Sequence, residues 1–194
     1  NLQKSLGCVH GLNCGWEHPL WFADTSGFEE STGFTRQNWW EPVGREVRML
    51  RENVGVIDIS NFANYIIKGR GAYDWLNKLV ANHVPTAIGR SCLTPLISVL
   101  GGVAGDFTIT KVADDEYMMI GSGMAERYHQ RYFNMVELPD DTTLDIATNH
   151  IAGFNVAGPK SRELLQYLTN ADLTNEQFRF MRSRNIDVAG VTCL

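Results

Sequence analysis

The sequence predicts an α+β domain, on three observations. Short apolar runs bounded by Gly, Pro or Asp recur, as at Val54–Ile59 and Tyr65–Lys68. Between them lie stretches of helical spacing, clearest at Ala72, Trp75, Leu76, Leu79 and Val80, which keep the i, i+3, i+4, i+7, i+8 rule. The third is an internal echo: Ile66–Leu79 and Phe154–Leu168 both read strand, Gly, then helix. Superposing Gly69 on Gly158 brings Trp75 onto Leu164, Leu76 onto Leu165 and Leu79 onto Leu168. Two similar βα units predict a pseudo-duplicated α+β domain.

The elements follow in order. Residues 1–40 read as an irregular, aromatic-rich arm, because Gly and Pro break every period. Its tryptophans either pack on a neighbouring domain or wrap this domain's own core. From Val43 the spacing turns helical, with Val43, Val47 and Leu50 on one face and Arg45, Arg48 and Arg51 on the others. Val54–Ile59 reads as a buried strand and Tyr65–Lys68 as another strand, and a helix over Ala72–Val80 precedes Pro85. Cys92–Leu100 is a strand that Pro95 assigns to an edge or bulge. Gly101–Gly105 is a turn region. Phe107–Lys111 and Glu116–Ile120 make a hairpin around Ala113–Asp115. Met124–Val136 reads as a helix, Leu144–Ala147 and Ala152–Val156 as strands. Pro159 opens a helix to Leu168. Thr174 and Gln177 match a capping box. Val191–Leu194 lies in a strand-like run, and both ends read as cut, so an internal piece of a longer protein is expected.

Composition removes whole classes of function. Seventeen basic against 22 acidic residues give a net charge of -5, which argues against nucleic acid as a partner. No apolar run nears the roughly 18–20 residues of a membrane helix. Aromatics at 10% exclude disorder. Cys8 and Cys14 flank His10, but the spacing of a zinc site is missing. The four cysteines therefore read as reduced thiols inside a cell, and no metal is expected.

Few motifs carry chemistry. Gly101–Asp106 is not G-x-G-x-x-G and precedes a strand, and Gly69-Arg70-Gly71 precedes a helix but lacks the third Gly. Neither is expected to cradle a phosphate. Asp106 stands out, where a glycine turn becomes an apolar strand. One reading is structural, with the carboxylate bonding turn N–H groups. The other is a charge held at the mouth of a cleft, able to hold a cationic amine or act as a base. The five histidines share no ligand spacing.

Several of these runs resemble a known family. Gly15-Trp16-Glu17, Pro19, Trp21-Phe22, then Phe34, Arg36, Asn38-Trp39 and Glu41-Pro42-Val43-Gly44 with Glu46 resemble the linker arm of dimethylglycine and sarcosine dehydrogenases. Val54–Ser60, Gly101–Asp106 and Val156–Arg162 are similar to the folate-binding domain that follows that arm, a domain shared with the aminomethyltransferase of the glycine cleavage system. The resemblance covers nearly the whole chain.

It implies an arm over residues 1–42, from an FAD domain upstream, and a folate-binding aminomethyltransferase-like domain over 43–194, truncated at its C-terminus, the chain packing on that FAD domain and on a closing C-terminal domain, both missing. The cofactors implied are tetrahydrofolate, and FAD in the missing N-terminal domain. The substrate implied is a small amine, dimethylglycine or sarcosine, whose one-carbon unit passes to folate. The place implied is the cytoplasm, or the mitochondrial matrix in a eukaryote. No nucleic acid or membrane is implied as a partner. Asp106 matches the family's key carboxylate, beside the reacting folate nitrogens. Leu93 matches an apolar folate contact. Ile120 and Gly121 fall at the folate site, with Gly121 where the aminomethyltransferases have Asn. Phe180, or Phe178, would flank the pterin or pack. A Tyr-x-Gly-Glu segment and its pterin-bonding Glu are expected beyond Leu194. Without that acceptor, worth about 1.5–3 kcal/mol, the isolated chain is expected to bind folate weakly and catalyse nothing. The alternatives are a stand-alone aminomethyltransferase and a non-catalytic folate-binding protein of the same fold.

Overall fold

The structure, a computed structural model, describes residues 2–13, 15–24 and 28–194. The chain falls into two compact units, Asn1–Gly55 with Val156–Ser161, and Val56–Asn155 with Arg162–Leu194.

In the first unit a short helix, α1 (Leu2–Ser5), precedes an antiparallel hairpin of β1 (Cys8–Asn13) and β2 (Trp16–Phe22). The expected irregular arm is therefore corrected to ordered elements up to Phe22, while the described residues from there to Trp39 form no helix or strand. Gly15 has φ +86, the left-handed conformation a tight turn needs. The ladder shifts register between Val9 and His10, beside Pro19, so the residue without an N–H sits at the irregularity. Cys14, half of the cysteine pair weighed above, lies outside the described residues. Helix α2 (Trp40–Glu52) is tied to the end of β2. Phe22 N–H donates to Glu46 Oε1 at 2.9 Å, and Arg45 forks onto both Asp24 oxygens at 2.6 and 2.7 Å. No residue of α2 is buried, and Val47 and Leu50, on its apolar face, stay exposed. The family-like run at Val156–Arg162 has a structural task. Gly158, at φ +119, lets the chain close on Asn53, where a β-carbon would lie 2.4 Å from the Asn53 carbonyl oxygen. Lys160 then donates twice to Asn53, from its N–H at 3.0 Å and from Nζ at 2.7 Å.

Past β3 (Gly55–Asp58), the second unit is built on β4 (Ala63–Gly69), helix α3 (Ala72–Leu79), β5 (Ser91–Ile97), β6 (Val103–Ala113) and β7 (Glu116–Gly121). A 3-10 turn at Gly123–Ala125 leads into α4 (Glu126–Phe133), followed by β8 (Thr142–Ile146) and β9 (Phe154–Ala157). Helix α5 (Ser161–Gln166) and a terminal hairpin, β10 (Ile186–Val188) with β11 (Val191–Cys193), complete the chain. Five strands form one antiparallel sheet in the order β5-β6-β7-β4-β8. Pro95 does lie on an edge strand, where its missing donor costs least.

One face of this sheet makes the core. Tyr65, Ile67, Phe107, Ile109, Tyr117 and Met119 alternate inward and are buried. Over them lie Trp75, Leu76 and Leu79 of α3 and Phe133 of α4. Each such side chain contributes about 1.5–3 kcal/mol by leaving water. Trp75 also donates Nε1–H to the Val136 carbonyl at 3.1 Å. Gly69 and Gly71 pack against the loop before β8. A β-carbon on Gly69 would lie 1.9 Å from the Asp141 carbonyl oxygen, and one on Gly71 2.7 Å from Pro139. Close packing, not phosphate binding, accounts for that glycine pair.

Strand β3 is not the buried strand expected at Val54–Ile59, since Val56 and Ile57 are exposed. Three further element readings change. The Gly101–Gly105 turn is shorter, because the ladder already pairs Ile97 with Val103 and Leu96 with Gly105. Helix α5 ends at Gln166 rather than Leu168. Thr174 and Gln177 cap no helix. The N–H groups of Gln177 and Phe178 both reach the Thr174 carbonyl, while Asp172 Oδ1 holds the Thr174 N–H at 2.8 Å. The Asx bond makes a single turn there, which the side-chain spacing alone did not separate from a helix start.

Candidate functional site on the open face of the sheet

The outward face of the sheet carries Asp106. Strand registers put Leu93, Thr108 and Ile120 in one row across β5, β6 and β7, with Asp106 and its partner Pro95 in the next row on the same side. Leu93 is 64% exposed, Asp106 is exposed, and Pro95, Thr108 and Ile120 are half-buried. The part of the face around Asp106 is thus a shallow, largely apolar platform, while the same face bears Glu116, paired with Lys68, and Asp145 nearer β8. At its far end Ser91 Oγ and Thr110 Oγ1 meet at 2.8 Å.

Asp106 does not brace the glycine turn. Ser98 does that: its Oγ accepts from Gly102 N–H at 3.1 Å, and its own N–H donates to the Gly102 carbonyl at 2.8 Å. Among the described residues no hydrogen bond or ion pair engages the Asp106 carboxylate.

Gly121 belongs to the other face. A β-carbon there would lie 2.6 Å from Phe107 Cε1 and 3.1 Å from His129 Cε1. It leaves room for core rings and turns away from Asp106's side. Phe180 is 91% exposed, so it packs into no core. It precedes Met181, whose carbonyl accepts from Ser91 N–H at 3.1 Å at the start of β5. Phe178 is half-buried.

Sequence reasoning missed the groups behind the platform. His129, 1% exposed, lies under Gly105, where a β-carbon would come within 3.0 Å of its Nε2. Its Nδ1 pairs with Tyr65 Oη at 3.0 Å. Glu126, one turn earlier on α4, accepts from the Thr148 hydroxyl. Burial holds the His129 pKa below 6.5, while the charges of Asp106 and Glu126 pull it back up. Burial pushes the Tyr65 phenol well up, with Glu126 adding to it. The readable signal was the strand period of two: Asp106, Thr108 and Thr110 alternate with Phe107 and Ile109.

The sign of the His129 shift gives a pH prediction. A folded pKa below the unfolded value means that below pH about 6.5 the unfolded chain binds a proton the folded chain refuses. Stability is therefore full above that pH. It falls on acidification down to the folded value, then levels off. Denaturant midpoints between about pH 8 and pH 5 measure the slope, and His129→Gln is expected to flatten that part of it. An unchanged slope in the variant refutes the assignment.

A five-stranded antiparallel sheet, with helices on one face and Asp106 exposed on the other, defines an α+β domain with an open sheet face. The comparisons carry that class to a family. A family model described as the GCVT N-terminal domain matches residues 1–194, and the chain belongs to that family. It is 31% identical to mouse (Mus musculus) mitochondrial dimethylglycine dehydrogenase over 98% of this chain and 22% of that protein. It is 26% identical to the aminomethyltransferase of Thermoanaerobacter sp. (strain X514), over 80% of this chain and 42% of that one. The crystal structure of the glycine cleavage system aminomethyltransferase T from Bartonella henselae superposes with TM-score 0.70 at 18% identity, covering 93% of this chain and 44% of that one. The chain thus spans under a quarter of the dehydrogenase it matches.

Proposed function

We propose that the Asp106 face holds tetrahydrofolate, within a flavoprotein that demethylates dimethylglycine or sarcosine and passes the one-carbon unit to that folate. The observation that carries this reading is the unengaged carboxylate: Ser98 ties the turn, so Asp106 is left for something outside the chain. Membership of the GCVT N-terminal family and the length of the dehydrogenase match support it.

The residues fit such a ligand. Leu93, Pro95 and Ile120 offer an apolar platform to a flat ring, and Phe180 stands exposed near the head of β5. A reduced folate supplies the amine nitrogens that accept the one-carbon unit. The Asp106 carboxylate stabilises positive charge developing beside it and takes up the departing proton at an Oδ. Gly121 stays out of ligand contact and serves the core beneath. The FAD domain, the arm that joins it at residues 1–42 and the pseudo-duplication of the two βα units belong to this same reading. The local geometry agrees at both glycines, with Gly69 at φ +132 and Gly158 at φ +119, each between a strand and a helix.

A second reading, a stand-alone aminomethyltransferase, draws support from the superposition on aminomethyltransferase T. The arm-like run at residues 15–46 favours the flavoprotein. A G-x-G-x-x-G encoded upstream of residue 1 would separate the two.

The test is a tetrahydrofolate titration of the intact protein and of residues 1–194 alone. Saturable binding by the intact protein and weak binding by the isolated chain are expected. No binding by the intact protein overturns the proposal.

A further inference from the structure

We propose that His129 is a positioning residue for Asp106, seated behind β6 so that a proton on its imidazole acts on the carboxylate through a wall two glycines thin. The inference rests on the reading of Asp106 as the site carboxylate, but its central test does not.

Three features place His129 there. Gly105, next to Asp106 in β6, has its side-chain direction filled by the imidazole: a β-carbon would sit 3.0 Å from Nε2 and 3.1 Å from Cδ2. Gly121, on β7, does the same at Cε1, 3.1 Å away. Two adjacent strands therefore carry glycine where this one ring approaches. Tyr65 on β4 then fixes the ring through Nδ1 at 3.0 Å, and Phe107 packs on it with centroids 4.6 Å apart. The result is an imidazole held from three strands with one edge against the strand that bears the carboxylate.

The ionisable groups facing it are few. Asp106 comes from β6, Tyr65 from β4 and Glu126 from its own helix, while β7 offers only Gly121. Burial opposes the imidazolium, and both carboxylates favour it. Coupling is reciprocal. A positive charge brought to Asp106 drives the proton off His129, and a protonated His129 makes Asp106 a weaker base. The pair links proton uptake in the core to cation binding on the open face.

The experiment measures the protonation midpoint of His129 in the intact protein by mass-spectrometric hydrogen exchange at the imidazole C2. Asp106→Asn is expected to lower that midpoint by about 0.5–1 unit, because it removes a neighbouring negative charge. The substitution is on an exposed, unbonded side chain, so the fold stays. Glu126→Gln calibrates the effect of losing one carboxylate. A midpoint that moves with Glu126→Gln but not with Asp106→Asn overturns the proposal. A second readout follows the acid limb of one-carbon transfer against pH. His129→Gln is expected to move it while the profile of amine oxidation stays put, and an unmoved limb also counts against the proposal. If Asp106→Asn leaves folate transfer intact, the folate reading fails, and the midpoint still decides the coupling separately.

Discussion

On the folate role proposed for this face, Asp106→Asn in the intact protein is expected to slow one-carbon transfer to folate by about 10²–10⁴-fold while amine oxidation continues. The amide keeps the size of the side chain and loses its charge and its basicity. Three facts make this a clean substitution. The side chain is exposed, no described residue bonds it, and Ser98 keeps the preceding turn closed without it. Thermal stability should therefore match the parent, which separates a chemical defect from a folding one. Rates of folate-dependent product formation and of dye reduction by the amine substrate, measured side by side, check the outcome. Equal loss of both activities would place Asp106 elsewhere in the protein's work. No loss of either would favour a non-catalytic role for this face.

Phe107→Ala is expected to cost about 3–5 kcal/mol of stability, the range for emptying a buried aromatic position. Phe107 is 2% exposed and meets Tyr65, His129 and Phe133 ring to ring, at 6.4, 4.6 and 6.0 Å between centroids. Gly121 has no side chain to collapse into the space, and Tyr65 and His129 are bonded to each other. The cavity therefore stays open. Chemical denaturation midpoints measure the loss, and Phe107→Leu should recover much of it. A loss below about 1 kcal/mol would mean that the rings repack.

Much of the sheet was legible. The runs Phe107–Lys111 and Glu116–Ile120 about Ala113–Asp115 announce both strands and their hairpin. Pro95 gave the edge. Asp106 was legible as a carboxylate in an odd place, but its freedom was not. That depends on Ser98 reaching back to Gly102 across an irregular ladder, which no spacing rule encodes. Of the platform only Asp106 is legible in the residues themselves; the resemblance adds Leu93 and Ile120, and the three do share a face. Gly121 was assigned with them through resemblance alone, and the period of two sends it to the other side. His129 escapes because its partners come from the β6–β7 hairpin and from β4, far upstream in the chain. The first half of the arm hides its strands because a hairpin with Pro19 at a register shift has no regular period to see, whereas the described residues between Phe22 and Trp40 are as irregular as their sequence.

The hairpin of β6 and β7 also works as a gauge of length. The positions from Asp106 to Lys111 are assigned outside or inside by counting in twos, up to the irregularity of the ladder between Lys111 and Ala113. One residue inserted there would carry the carboxylate into the oily interior and turn Phe107 out to water. Insertions or deletions in this stretch should therefore survive only in pairs, whereas the bend after Ala113 can lengthen freely. Variation in natural or engineered versions of this domain is expected to respect that parity.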